Sequence, residues 1–301
     1  MVNYPDYPFH SHFLDLGGIR LHYVDEGSGD PVVMVHGNPT WSYFFRHLIQ
    51  DLAADYRVIA ADHVGCGLSD KPTDRDYAYT LSSRVEDLGR LIDYTAPRQR
   101  VTLVLHDWGG MIGMAWACRQ PHRVRAFILG NTAAFPLPAG KSLPWELRLA
   151  RMPIVGAILV RGMNAFCRGA VSRCTSQRRL SPAERAAYLT PYDSWTRRRA
   201  IHRFVQDIPL GPGDKAWNLL QATAAQLPSL SSIPALILWG KQDFVFDEFF
   251  LAEWQRLWPR AQVHLFANAG HFVFEDVRRE AAEIIRSFLE QQVRRLRSDQ
   301  P

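Results

Sequence analysis

The chain has 301 residues, 47% of them hydrophobic, enough to bury one large core with a single insertion rather than two independent domains. Its longest apolar stretch, residues 154–160, falls far short of the roughly 20 residues a membrane span needs, and residues 1–10 lack the basic-then-apolar layout of a signal peptide, so the expected location is the cytoplasm. The net charge of +5 accompanies no nucleic-acid motif; it reads as a solvated basic surface, densest at 148–203 and 294–297, with an acidic lipid face or acidic partner as the alternative.

In chain order, strands at 12–15 and 19–25 form a hairpin-like entry around Gly17 and Gly18, followed by a strand at 32–35, a helix at 43–53 and a strand at 58–61. A helix at 81–95, a strand at 101–105, a helix at 108–119 and a strand at 126–129 come next. After a long interruption, a strand at 235–239, a helix at 247–257, a strand at 263–266 and a helix at 277–292 close the chain. Eight strands alternating with helices predict an α/β fold, a mostly parallel sheet with helices on both faces. The interruption holds helical patterns and proline turns without strand alternation. It reads as a helical cap at 134–228, inserted between core segments 1–133 and 229–301 and lying over the strand ends, where open α/β sheets bind ligands. The polar tail 298–301 is the candidate disordered segment.

The most specific motif is VTLVLHDWGGM at 101–111, an apolar strand entering a helix through a tight, glycine-bearing turn. This is the layout of a nucleophile elbow with Asp107 in place of serine. A carboxylate needs no base to become a nucleophile, and the dipole and free N–H groups at the start of a helix favour its ionised form. It can attack an sp³ carbon that bears a leaving group, giving an alkyl ester. A plain N-cap role would need neither the strand before Asp107 nor the glycines after it.

The second motif, HGNPTW at 36–41, follows a strand where this layout supplies one backbone N–H to an oxyanion hole, the other coming from Trp108. Asn38 and Trp108 also carry side-chain N–H donors, suited to a leaving halide or carboxylate; the plainer reading of each is turn chemistry and core packing. The third motif, ANAGHF at 267–272, places His271 last in the order nucleophile, acid, histidine. Its work would be to activate water against an ester or to manage a proton in a later step. His36 and His106 read as supporting groups. The orienting acid is expected at Asp243, in GKQD at 240–243, with Asp247 as runner-up or helix cap; Asn131, at the alternative acid position, is not acidic. Cys66, Cys118, Cys167 and Cys174 form no C-x-x-C pair, so no zinc site, disulfide framework or cofactor is expected.

HGNPT at 36–40, DHVGCGLSD at 62–70 and HDWGG at 106–110 together resemble the haloalkane dehalogenase family, specifically its third subgroup, across nearly the whole catalytic core. The resemblance implies an α/β-hydrolase fold in which Asp107, His271 and Asp243 act with a halide-holding Asn38 and Trp108. NTAAFPLP at 131–138, PYDSW at 191–195 and FVQDIPL at 204–210 are more similar to the family's β-lactone decarboxylases of bacterial long-chain olefin biosynthesis. That likeness implies loss of carbon dioxide from a cis-β-lactone with two alkyl chains, beside a lactone synthetase and a reductase. Attack by Asp107 on the ring carbon and on the lactone carbonyl both remain open. The rival readings are dehalogenation, epoxide hydrolysis with Tyr188 and Tyr192 as proton donors, and a non-catalytic assembly subunit. Stretches 147–160 and 162–171, apolar yet studded with Arg148, Arg151, Arg161 and Arg168, read either as amphipathic cap helices or as a tunnel wall with arginines facing an acidic partner or lipid.

Overall fold

A computed structural model describes residues 4–298, and the side chains of 293–298 and the residues 299–301 lie outside that description, including the Arg294 and Arg297 side chains and most of the polar tail. Eight strands form one sheet: β1 (His12–Asp15), β2 (Arg20–Glu26), β3 (Pro31–Val35), β4 (Arg57–Ala61), β5 (Val101–Asp107), β6 (Val124–Thr132), β7 (Ala235–Gly240) and β8 (Gln262–Phe266), in the order β1-β2-β4-β3-β5-β6-β7-β8. The β1–β2 and β2–β4 pairs are antiparallel and every later pair is parallel. The Asp15 carboxylate turns the first hairpin by accepting from the N–H groups of Gly17 and Gly18 at 3.1 and 2.6 Å. Strands β3, β5 and β7 are buried on both faces, as parallel strands between helices must be.

The helices of the core are α1 (Arg46–Leu52), α2 (Leu81–Thr95) and α3 (Trp108–Arg119). The expected helix at 43–53 is instead a 3₁₀ turn, Ser42–Phe45, leading into α1; Phe44 N–H bonds the Trp41 carbonyl three residues back, tightening the entry. Between β6 and β7 run α4 (Trp145–Arg151), α5 (Pro153–Gly156) continued by a π turn (Ala157–Gly162), α6 (Ala165–Arg173), α7 (Pro182–Leu189), α8 (Arg199–Gln206) and α9 (Trp217–Gln226). The chain closes with α10 (Glu248–Leu257), α11 (Val273–Asp276) and α12 (Arg278–Ser298). The closing helix starts only after Val277, whose φ of −118° and ψ of 38° break it from α11. No single helix among the described residues is long and apolar enough to cross a membrane.

The C-terminal ends of β3, β5, β6 and β7 lie side by side, so the turns that leave them converge at one edge of the sheet. This edge brings 36–38, Asp107, Asn131 and Asp243 together from distant parts of the chain.

Candidate active site

Asp107 ends β5 with φ 51° and ψ −122°, a left-handed conformation that costs a non-glycine residue free energy and turns its side chain out of the sheet. The surrounding backbone is packed tightly enough to require glycines. A Cβ at Gly109 would stand 2.0 Å from the Val35 carbonyl oxygen, and one at Gly37 would stand 1.9 Å from Asp107 Oδ1. Thr132 Oγ donates to the Asp107 carbonyl at 2.5 Å and ties the elbow to β6. Asp107 makes no side-chain helix cap, which removes the plain N-cap reading; Asp247 caps α10 instead, accepting from Phe249 N–H at 3.2 Å.

The Asn38 backbone N–H donates to Asp107 Oδ1 at 2.6 Å, and the Trp108 N–H also bonds this carboxylate. Both backbone donors expected of an oxyanion hole thus hold the aspartate itself. Burial pushes the Asp107 carboxyl up, against the pull of His271 and of these two N–H groups, and the net direction is up. The sequence expectation that the helix start would favour ionisation is therefore only half met: the donors are present, and desolvation outweighs them.

His271 Nδ1 bonds Asp243 Oδ2 at 2.8 Å, and its Nε2 lies 3.7 Å from Asp107 Oδ2. Burial lowers the imidazole, but the Asp243 carboxylate beside it and then Asp107 raise it, and the net direction is up. Asp243 is fixed in turn by Val245 N–H at 2.7 Å. Asn131, at the unused acid position, bonds both the N–H and the carbonyl of Gly240, at 2.8 and 3.0 Å, and so positions the loop that carries Asp243.

Asn38 Nδ2 gives one hydrogen to the Ile201 carbonyl at 3.2 Å, while its Oδ1 is buried without a partner. Trp108 packs edge-on against Phe204 of α8, with ring centres 5.2 Å apart. Asn38, Asp107, Trp108 and His271 all line one cavity of about 430 Å³, otherwise walled mainly by apolar side chains of the core and of α4, the π turn, α6, α8 and α9, such as Phe135, Leu149, Val160, Phe166, Val205 and Phe246.

The supporting histidines act through hydrogen bonds. His106 Nε2 bonds the His271 carbonyl at 2.8 Å; His36 bonds the Gly37 carbonyl at 2.7 Å and accepts from His63 N–H at 3.0 Å, and burial lowers it to about 4. Tyr188 and Tyr192 do not line the cavity: the Tyr188 hydroxyl bonds Glu275 at 2.6 Å and the Tyr192 hydroxyl bonds the Thr40 carbonyl at 3.2 Å. Neither tyrosine reaches the site as a proton donor, which removes the feature that kept epoxide hydrolysis in view. The four cysteines are free, and burial pushes the Cys66 and Cys118 thiols up to about 12 and 11, so these two are poor nucleophiles.

One residue escaped the sequence reading. Asp276 accepts from the N–H groups of Gly270, Ser176, Gln177 and Arg178 at 2.7, 2.9, 3.1 and 3.2 Å, joining the His271 loop to the segment before α7. Its nearness to His271 in sequence was the one available signal. As for metals, Asp6, His47 and Glu184 bring three ligand atoms within 4.8 Å of one another, but Glu184 already carries Arg46, Arg178 and Arg278, a surrounding that repels a cation.

A family model described as the alpha/beta hydrolase fold matches residues 30–276. A cis-3-alkyl-4-alkyloxetan-2-one decarboxylase of Shewanella oneidensis is 48% identical over 282 residues, 94% of this chain and 89% of the relative. The chain belongs to the α/β-hydrolase family. A decarboxylase of the same name from Xanthomonas campestris is 46% identical over 96% of this chain and 99% of its own length. Haloalkane dehalogenase 2 of Mycobacterium bovis is 33% identical over 94% of this chain and 96% of its own. Among solved structures, a haloalkane dehalogenase of Agrobacterium tumefaciens superposes with a TM-score of 0.84 at 29% identity, covering 94% of this hydrolase and 97% of that chain.

Proposed function

We propose that this α/β-hydrolase is a cis-3-alkyl-4-alkyloxetan-2-one decarboxylase that converts a long-chain cis-β-lactone into a cis-alkene and carbon dioxide. The carrying observation is the near-full-length likeness to two decarboxylases of that name. The mainly apolar cavity around Asp107 suits a substrate with two alkyl chains. In this reading residues 134–228 act as the cap.

Asp107 is the nucleophile. Its Oδ1 is held by the Asn38 backbone N–H, the Trp108 N–H also bonds the carboxylate, and Oδ2, on the side of His271, is the oxygen that attacks. Because those N–H groups are engaged on the nucleophile, they are not free to receive a carbonyl oxyanion, and this supports attack at the ring carbon that bears oxygen. The carbon–oxygen bond breaks with inversion, the ring strain is released, and the freed carboxylate meets the side-chain donors of Asn38 and Trp108. The bond to that carboxylate then breaks; its electron pair forms the alkene and expels Asp107 from the neighbouring carbon. Inversion followed by anti elimination preserves the cis relation. No water is consumed and no proton is gained or lost, so His271, oriented by Asp243, serves chiefly as a positive neighbour to the carboxylates.

The same donor pair would hold a halide, and the dehalogenase relatives favour this as the second reading, with His271 activating water against the alkyl ester. From the decarboxylase likeness we place the enzyme in olefin biosynthesis beside a lactone synthetase and a reductase, and from the sequence pattern in the cytoplasm. Purified enzyme given a cis-β-lactone and a bromoalkane separately tests the assignment. The expected result is alkene and carbon dioxide at a kcat/KM far above bromide release; bromide release without carbon dioxide from the lactone would replace the first reading with the second.

A further inference from the structure

We propose that the face built by α4, α5 and the π turn docks this enzyme on an anionic lipid surface, α4 and the π turn also lining the cavity. Among the described residues thirteen large apolar side chains are exposed, and six of them fall within 145–163: Trp145, Met152, Ile154, Val155, Ile158 and Met163. Ile154 and Ile158 are one turn apart, and Met163 N–H bonds the Ile158 carbonyl, so the three share one row; they are 75%, 52% and 59% exposed. A row of aliphatic side chains left in water on one short segment marks an interaction surface rather than ordinary scatter.

Charge says what covers it. Residues 134–228 hold fourteen Lys and Arg against five Asp and Glu, a net +9, so the remainder of the +5 chain sums to −4. All five acids are already paired with arginine: Glu146 with Arg173, Glu184 with Arg46, Asp193 with Arg197, Asp207 with Arg84 and Asp214 with Arg151. Of the surplus, Lys141, Arg178, Arg199 and Arg203 pair with acids outside the segment, whereas Arg148 and Arg168, both exposed, and the half-buried Arg161 make no ion pair among the described residues and flank or interrupt the apolar row in sequence. Aliphatic and tryptophan side chains bordered by arginines match the headgroup region of a bilayer with anionic lipid.

The position agrees. Trp145 and Leu149 of α4 and Leu159 of the π turn, two of the elements that build this face, line the cavity. Any ligand that fills so apolar a cavity partitions into lipid, and an enzyme seated there takes it up without passage through water. The proposal concerns where the enzyme sits and stands apart from the reaction assigned above: vesicle binding reads the one, turnover of a short soluble substrate reads the other.

The test is flotation of the purified full chain with phosphatidylglycerol or phosphatidylcholine vesicles. The expected result is recovery with phosphatidylglycerol vesicles, lost in high salt and weak with phosphatidylcholine. Replacing Ile154→Ser, Ile158→Ser and Met163→Ser together, and separately Arg161→Glu with Arg168→Glu, should each lower the floated fraction at least tenfold. Neither set includes a cavity-lining residue, so activity on a short soluble substrate should stay within about twofold and certify the fold. Undiminished flotation of both variants overturns the proposal. So does wild-type protein that fails to float but self-associates through this row, read by light scattering as a large particle that the serine variant disperses; the face would then join copies of the chain.

Discussion

At the scale of single residues, the site is a carboxylate whose burial works against its own ionisation. Asp107→Asn keeps the shape and loses the nucleophile, so turnover should fall below about one part in a thousand, with circular dichroism unchanged. The pH dependence follows from directions. Asp107 must be ionised to attack, and its carboxyl is raised, so activity should be lost as pH falls, at a pH above the ordinary carboxylate value. Hydrolysis of an alkyl ester also needs neutral His271, and that imidazole is raised too, so bromide-releasing turnover should fail at a higher pH than decarboxylation. Parallel pH profiles of kcat/KM for a lactone and a bromoalkane check this; superimposable acid limbs would contradict a waterless path. His271→Ala separates the two chemistries again. It should strand a bromoalkane as an ester on Asp107, visible by intact mass, while leaving measurable alkene formation from the lactone.

Among elements, the decisive contacts join loops rather than helices. Asp276 satisfies four N–H groups, one beside His271 and three in the segment before α7. Hydrogen bonds to a buried charge contribute roughly 1.5–3 kcal/mol each, with strong overlap within one carboxylate. Asp276→Ala should therefore cost about 3–4 kcal/mol in urea unfolding, and Asp276→Asn, which keeps one acceptor oxygen, distinctly less. The elbow makes a matching demand on backbone: Gly109→Ala would drive a Cβ into the Val35 carbonyl, an atom of a central strand that cannot yield.

For the whole molecule, a buried charge network ties the segment between β6 and β7 to the core. The Arg46 guanidinium, from α1, bonds Glu275 and, at 3.0 Å, Glu184 of α7, and Arg178 and Arg278 bond both glutamates. Burial pushes both carboxyls up, yet the guanidiniums outweigh it, holding Glu184 well below the usual range and lowering Glu275 as well. Removing one partner strands buried charge at about 3–5 kcal/mol. Glu184→Gln should consequently loosen α7, seen as faster amide hydrogen exchange there, and raise KM more than it lowers kcat. Unchanged exchange in α7 would mean the network does not hold the segment in place.

The sequence alone determined the strand and helix alternation and the three short motifs, because period-2 runs, glycine-bearing turns and helix starts are local properties of the chain. It also named Asp107, His271 and Asp243, since strand ends in a parallel sheet must meet at one edge, and the structure brings these three into contact. What only the tertiary structure decided depends on groups far apart in sequence. Desolvation of Asp107 is set by every neighbour that excludes water from it. The engagement of Tyr188 and Tyr192 elsewhere required partners at 275 and 40. The four donors gathered on Asp276 come from both sides of a chain separation of about a hundred residues. Local pattern records what a segment can form; burial, charge pairing and exposure belong to the surroundings that the rest of the chain supplies.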